Sequence, residues 1–158
     1  MTILADYIID PSGIDWPDVL ASWAWLLPPE FTIWIVNRFG DLFLVQEDGS
    51  VHWLDVGAGE LRRVAESRDH FANLLDDADN ARDWLLMPLV EKLVDAGIRL
   101  GPGECYGYVK LPILGGDYTV SNTRVVPIAG HLEALGPIHE KLKDLPDGTG
   151  VILKPDAD

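Results

Sequence analysis

Four histidines, one cysteine and 26 carboxylates are the groups in this chain that could do chemistry. Their spacing argues against most of it. "HEKLK" (His139 to Lys143) opens like a zinc-protease helix, but residue 143 is lysine where the second histidine of a two-ligand face is required. His52, His70 and His131 are scattered, and His131 and His139 are eight residues apart. Each histidine reads as solvent-facing or as a satisfied polar residue. "DDADNARD" (Asp76 to Asp83) is acidic enough for calcium, but an EF-hand loop counted from Asp77 needs an oxygen ligand and then glycine where the chain has Ala81 and Arg82. No metal ligand set and no cofactor is expected. The single Cys105 excludes an internal disulfide and lies beside Glu104, a neighbour that raises a thiol's pKa, whereas an activated thiolate needs the opposite. No Gly-x-Ser-x-Gly elbow or phosphate loop is present. "GPGECY" (Gly101 to Tyr106) precedes a strand, where a dinucleotide fingerprint follows one. No catalytic residue is assigned.

The densest cluster of permissive residues is "GECYGYVKLPILGGDYTVSNTRVV" (Gly103 to Val126). Turn geometry accounts for it. Gly115 and Gly116 supply positive φ or close backbone approach, Gly107 a bulge or a close neighbouring backbone, and Asn122 a left-handed position bonding its own backbone. The alternative is an enzyme or small-ligand protein with a pocket near "GECYGY" and "LGGDY", lined by residues such as Cys105, Tyr106 or Tyr108, Asp117 and His139.

The elements that must position these residues follow from periodicity. "DWPDVLASWAWLLPP" predicts a short helix with Val19, Trp23 and Leu26 or Leu27 on one side, stopped by Pro28 and Pro29. "FTIWIVNRF", "DLFLVQE" and "VHWLDV", separated by turns at Gly40–Asp41 and Asp48–Ser50, predict a meander, and "GAGELRRVAES" a fourth strand. Helix follows from a Ser67 cap, with Phe71, Leu74 and Leu75 as its stripe. A second helical region covers about 80–96, kinked or restarted at Pro88 and ended at Gly97. "CYGYVKLP" alternates, with Cys105, Gly107, Val109 and Leu111 on one face. "TRVVPI" is an edge strand, "HLEALGPIHEKLKDL" a helix split at Gly136–Pro137, and "GVILK" a last strand. This order predicts an α+β fold: one domain over residues 1–158, with helices packed on an antiparallel or mixed sheet.

The net charge of −14 is uneven: residues 1–60 hold ten acids and one base, Arg38. Such a field repels nucleic acid and anionic lipid and attracts a basic protein. The acidic start "MTILADYIIDPSG" has no basic n-region, and no apolar run reaches bilayer length, so a cytoplasmic protein is expected. The candidate partner-binding residues are the acids Asp15, Asp18, Asp41, Glu47 and Asp48, with Trp23 and Trp25 as exposed aromatic anchors. Core packing is the competing role for these aromatics.

Five segments occur in fixed order: "FGDLFLVQEDGSVHWLDVGAGELRRVAES", Phe71, Trp84–Leu85, "GPGECYGYVKLPILGGDYTVSNTRVV" and "GPIHEKLKDLPDGTGV". Over about residues 15–153 the chain resembles the C-terminal domain of type VI secretion DNase-immunity proteins, as a stand-alone member. The resemblance implies a protein that binds and neutralises a co-encoded nuclease toxin and catalyses nothing. The matching Gly40, Asp41, Asp48, Gly49, Gly107, Gly115, Gly116, Asn122, His139 and Gly148 read as fold-makers. The characterised architecture has an additional N-terminal domain that this chain is too short to hold in full.

Overall fold

A computed structural model describes residues 4–145. The expected last strand "GVILK" and Gly148 lie outside them. Four strands run as an antiparallel meander in the order β1 (Thr32–Val36), β2 (Leu42–Val45), β3 (Val51–Asp55) and β4 (Glu60–Ala65). The turns between them place Gly40, Gly49 and Gly59 at positive φ, where a side chain would strain the backbone. All four β2 residues are buried, so this strand is packed on both faces. A separate antiparallel pair joins β5 (Glu104–Tyr108) to β6 (Thr123–Pro127).

The helices cover the meander. Ser67 caps α2 (Arg68–Leu75) by accepting from the His70 amide, and Asp77 caps α3 (Ala78–Leu85) from the Asp79 amide. Leu86 then takes a left-handed conformation and α4 (Met87–Asp95) restarts with Pro88 in its first turn. Proline there restarts the chain instead of kinking it. The helices close over an aromatic cluster: Phe71 stacks on Trp84 at 5.0 Å and meets Phe43 and Trp34 at 5.2 Å. The fold is α+β, with helices on antiparallel sheets, as the sequence predicts.

Three local expectations fail for identifiable reasons. The first helix is only α1 (Trp16–Val19), followed by a 3₁₀ turn over Ala21–Trp23. The β5 strand puts Tyr106 and Tyr108 on Phe39 and Gly107 against His131, the faces expected, but both faces are buried and the alternation ends at Tyr108, leaving Val109 exposed. Finally, α5 (Ile128–Leu142) is continuous through Pro137. The imide cannot donate to the Glu133 carbonyl, and the Ser22 hydroxyl donates to that carbonyl instead, at 3.4 Å. Trp23 and Trp25 donate their indole N–H groups to the neighbouring carbonyls of Leu132 and Gly136 (2.8 and 3.2 Å). Gly136, without a side chain, lets the 21–25 turn approach closely enough for this. A proline break inside a long helix is thus repaired by a tryptophan-rich turn more than 100 residues away.

Candidate protein-binding surface

The functional residues expected from the sequence fall into an interior group and an exterior group. Asp41 belongs to the interior: it is 2% exposed. Its carboxylate accepts from the Val56 amide (3.0 Å), Asn37 Nδ2 (3.1 Å) and Trp53 Nε1 (3.3 Å). Asn37 in turn closes the β1–β2 turn, its Oδ1 accepting from the Phe39 and Asp41 amides and its Nδ2 donating to the Trp84 carbonyl. Burial, with Asp55 nearby, outweighs these donors and pushes the Asp41 carboxyl up to about 8. Asp41 ties the β1–β2 turn to the end of β3, so the expectation of a partner-facing carboxylate there is corrected. Trp23 is also corrected: it is fully buried, its ring 6.1 Å from Trp25 and 5.6 Å from His139. An indole inserted beneath a proline-bearing helix is packing material, and no partner reaches it.

Of the residues of the alternative enzymatic site, Cys105, Tyr106, Tyr108 and His139 are buried too, while Asp117 is exposed on the "LGGDY" corner and does not join them. Cys105 lies against Gly40 with no exposure, and burial, reinforced by Asp41 and Glu104, drives its thiol well above the ordinary range. The Tyr108 hydroxyl, beside Gly57, is raised by burial and then by Asp41. His139 Nε2 is 2.7 Å from the Val56 carbonyl oxygen, and its Nδ1 has no partner. His131 packs between Gly40 and Gly107, its Nε2 also unpartnered, and burial depresses it to about 4, with Arg124 and His139 adding to the effect. These two histidines are interior residues with incomplete hydrogen bonding, not the solvent-facing or satisfied ones expected. Ser50, His52 and Asp48 do come together: Ser50 Oγ donates to Asp48 Oδ1 (2.6 Å) and lies 3.0 Å from His52 Nε2. The serine stands between the other two, whereas a nucleophilic triad needs the histidine there. No group of three metal-ligating side chains occurs among the described residues.

The "LGGDY" corner is built by backbone. Gly115 has φ 93°, and a Cβ on Gly116 would collide with the Lys110 carbonyl. Asn122 closes the loop by accepting from the Lys110 amide and donating to the Lys110 and Asp117 carbonyls, not by bonding its own backbone or by a left-handed φ. Gly107 makes room for side chains of Val126 and His131 in an unbroken β5–β6 register, with no bulge.

The exterior group is acidic and apolar. Asp15, Asp18, Glu47 and Asp48 are exposed, and Trp25 is half-buried under Lys143, whose ammonium lies 5.0 Å from its ring centre. Asp48 is held below the usual carboxylate range by the Ser50 hydroxyl and amide. Two adjoining grooves lie on this side. One, of about 810 Å³, is mainly apolar and includes Trp16, Leu20, Ala24, Leu27 and Ile33. The other, of about 690 Å³, includes Glu47, Arg68 and Asp69. Both are lined by Glu30, Phe31 and Thr32. The sequence reading missed this groove. Its signal was available in Trp16, Leu20 and Leu27, apolar residues flanking two prolines that turn the chain back beside a strand.

Among the described residues no helix is long and apolar enough to cross a membrane. No curated protein matches the chain. The apolar groove and the meander up to Val64 precede the region shared with a known family, and the acidic groove reaches into it at Ser67, Arg68 and Asp69. From Ala65 at the end of β4 to His139 in α5, residues 65–139 match the family described as "T6SS immunity protein Tdi1, C-terminal", which bears out the resemblance read from the sequence and is consistent with membership of that family.

Proposed function

We propose that this chain is a cytoplasmic, single-domain immunity protein that neutralises a cognate nuclease toxin of a type VI secretion system by binding it, without catalysis. The match over residues 65–139 carries the reading. The surface chemistry supports it. A nuclease surface that binds DNA is basic, and residues 1–60 hold ten acids against one base. Such a field speeds encounter by about 10 to 10³-fold and loses that effect as salt rises. Asp15, Asp18, Glu47 and Asp48 are the exposed acids placed to steer it, with Trp25 at the margin. The burial of Cys105, Tyr106, Tyr108 and His139 favours binding over chemistry at the β5 segment. Co-expression tests the reading: cells producing the toxin encoded beside this chain's gene grow when the chain is supplied, and continued killing with the chain folded and abundant overturns it.

A further inference from the structure

The immunity reading names a partner without saying where it seats. The two edges of the meander differ. At β4 the edge is guarded by Glu60, Arg62 and Arg63, with Glu60 and Arg62 paired, and α2 packs against it. At β1 the strand reads "TIWIV", with no charge. Its far end is covered, because Ile8 bridges Asn37 and the Ile9 amide donates to the Val36 carbonyl at 2.8 Å. Along Thr32–Trp34 no backbone partner stands on the outer side among the described residues. The β1 register slips once, between Ile33 and Ile35, which shortens the regular edge without covering it, and an uncharged open edge is a template for another strand.

We propose that an extended segment of the toxin adds to β1 along Thr32–Trp34, laying apolar side chains in the 810 Å³ groove and a lysine or arginine in the adjoining acidic one. The geometry supplies each part of that occupant. The outward backbone of Thr32–Trp34 asks for a strand. The groove floor of Trp16, Leu20, Leu27 and Ile33 asks for apolar side chains. Glu30, Glu47 and Asp69 line the adjoining groove with no ion pair to a base among the described residues. Arg68, the base at that groove, is engaged over the Trp34 ring at 5.7 Å. Asp15 and Asp18 are exposed beside the lining residues Trp16 and Pro17 at the other side. A second copy of this chain is the wrong occupant, because it would bring a further −14 charge to the same acids.

This seating rests on the immunity reading, and one experiment separates the two. The probe is a catalytically inactive form of the toxin encoded beside this chain's gene, measured by calorimetry and by hydrogen exchange. Ala24→Arg fills the apolar groove from an exposed position, Glu30→Lys reverses its charge, and Ala96→Arg, at an exposed position after α4 that lines neither groove, is the control. Ala24→Arg weakens binding at least about 30-fold and Glu30→Lys about 10-fold, with a shallower salt dependence, while Ala96→Arg binds as wild type. The amides within 31–34 that face away from β2 exchange in the free chain and are protected in the complex. Wild-type affinity in both groove variants, or no added protection at 31–34, overturns the seating and leaves the immunity reading standing. Protection already complete in the free chain, or rising with its own concentration, means that the chain or a second copy covers the edge and also overturns it. Failure of wild type to bind the toxin overturns both. Should Ala24→Arg lose its native circular dichroism, Glu30→Lys and the exchange pattern decide the matter.

Discussion

Replacing Asn37 by alanine asks whether the buried polar cluster behind β1 and β2 holds the fold. The side chain is fully buried and makes four hydrogen bonds: from the Phe39 and Asp41 amides at 2.9 and 3.0 Å, and to the Trp84 carbonyl and Asp41 Oδ2 at 2.9 and 3.1 Å. Asp41 keeps the Val56 amide and the Trp53 indole, so its loss is partial. The two amides and the Trp84 carbonyl lose their side-chain partner in a site closed to solvent. At about 1–3 kcal/mol for each unsatisfied buried group, less what local relaxation and an entering water recover, the variant loses about 3–5 kcal/mol. Urea unfolding at pH 7 reads this as a midpoint lowered by about 1.5–2.5 M, for a slope near 2 kcal/mol per molar. Asn37→Asp keeps both amide contacts but faces a second carboxyl across 3.1 Å, so it is also destabilised, and less so in acid. A loss below about 1 kcal/mol for Asn37→Ala refutes the claim that this asparagine ties the meander to the α3–α4 corner.

Two further predictions follow from the interior. The raised Asp41 carboxyl contributes stability that is fully present below about pH 4, its unfolded value, and is lost as pH rises through about 8. The depressed His131 contributes stability present above about pH 6.5 and lost as pH falls through about 4. The two oppose each other in mild acid, and above pH 6.5 Asp41 sets the sign: stability falls by about 1–2 kcal/mol between pH 6.5 and 8, and Asp41→Asn flattens that slope. A wild-type stability that rises over this interval contradicts the assignment. At the "LGGDY" corner, Gly116→Ala drives a methyl into the Lys110 carbonyl and costs about 1–3 kcal/mol, lowering Tm by about 3–10 °C. Gly130→Ala, a helix position with nothing within 4 Å of the new methyl, holds or raises Tm; equal effects at the two sites would refute the steric argument.

Local rules made the meander, the Ser67 cap, the restart at Pro88 and the Gly97 stop legible, because turn glycines, a capping hydroxyl and a proline act within a few residues of themselves. The unbroken α5 was illegible for the opposite reason. Whether Pro137 breaks a helix depends on what satisfies the Glu133 carbonyl, and that partner, Ser22, is 111 residues away. A similar distance hid the burial of Trp23 under α5, whereas Asp41 is enclosed by nearer groups, Asn37 four residues before it and Trp53 twelve after, whose convergence depends on how the β1–β2 turn packs on β3. Asp15, Asp18, Glu47 and Asp48 are exposed, the usual place for acids at helix starts and turns. The groove's apolar residues Trp16, Leu20 and Leu27 were legible but its shape was not, because its walls come from α1, the double-proline turn and the edge strand together.

The most direct test of the account is titration of the purified chain into the active toxin while cleavage of duplex DNA is followed. Direct association predicts that cleavage disappears at about one equivalent, and that higher salt slows the onset of inhibition more than it weakens the final complex. Cleavage that persists at a tenfold excess of folded chain contradicts the claim that this protein neutralises by binding.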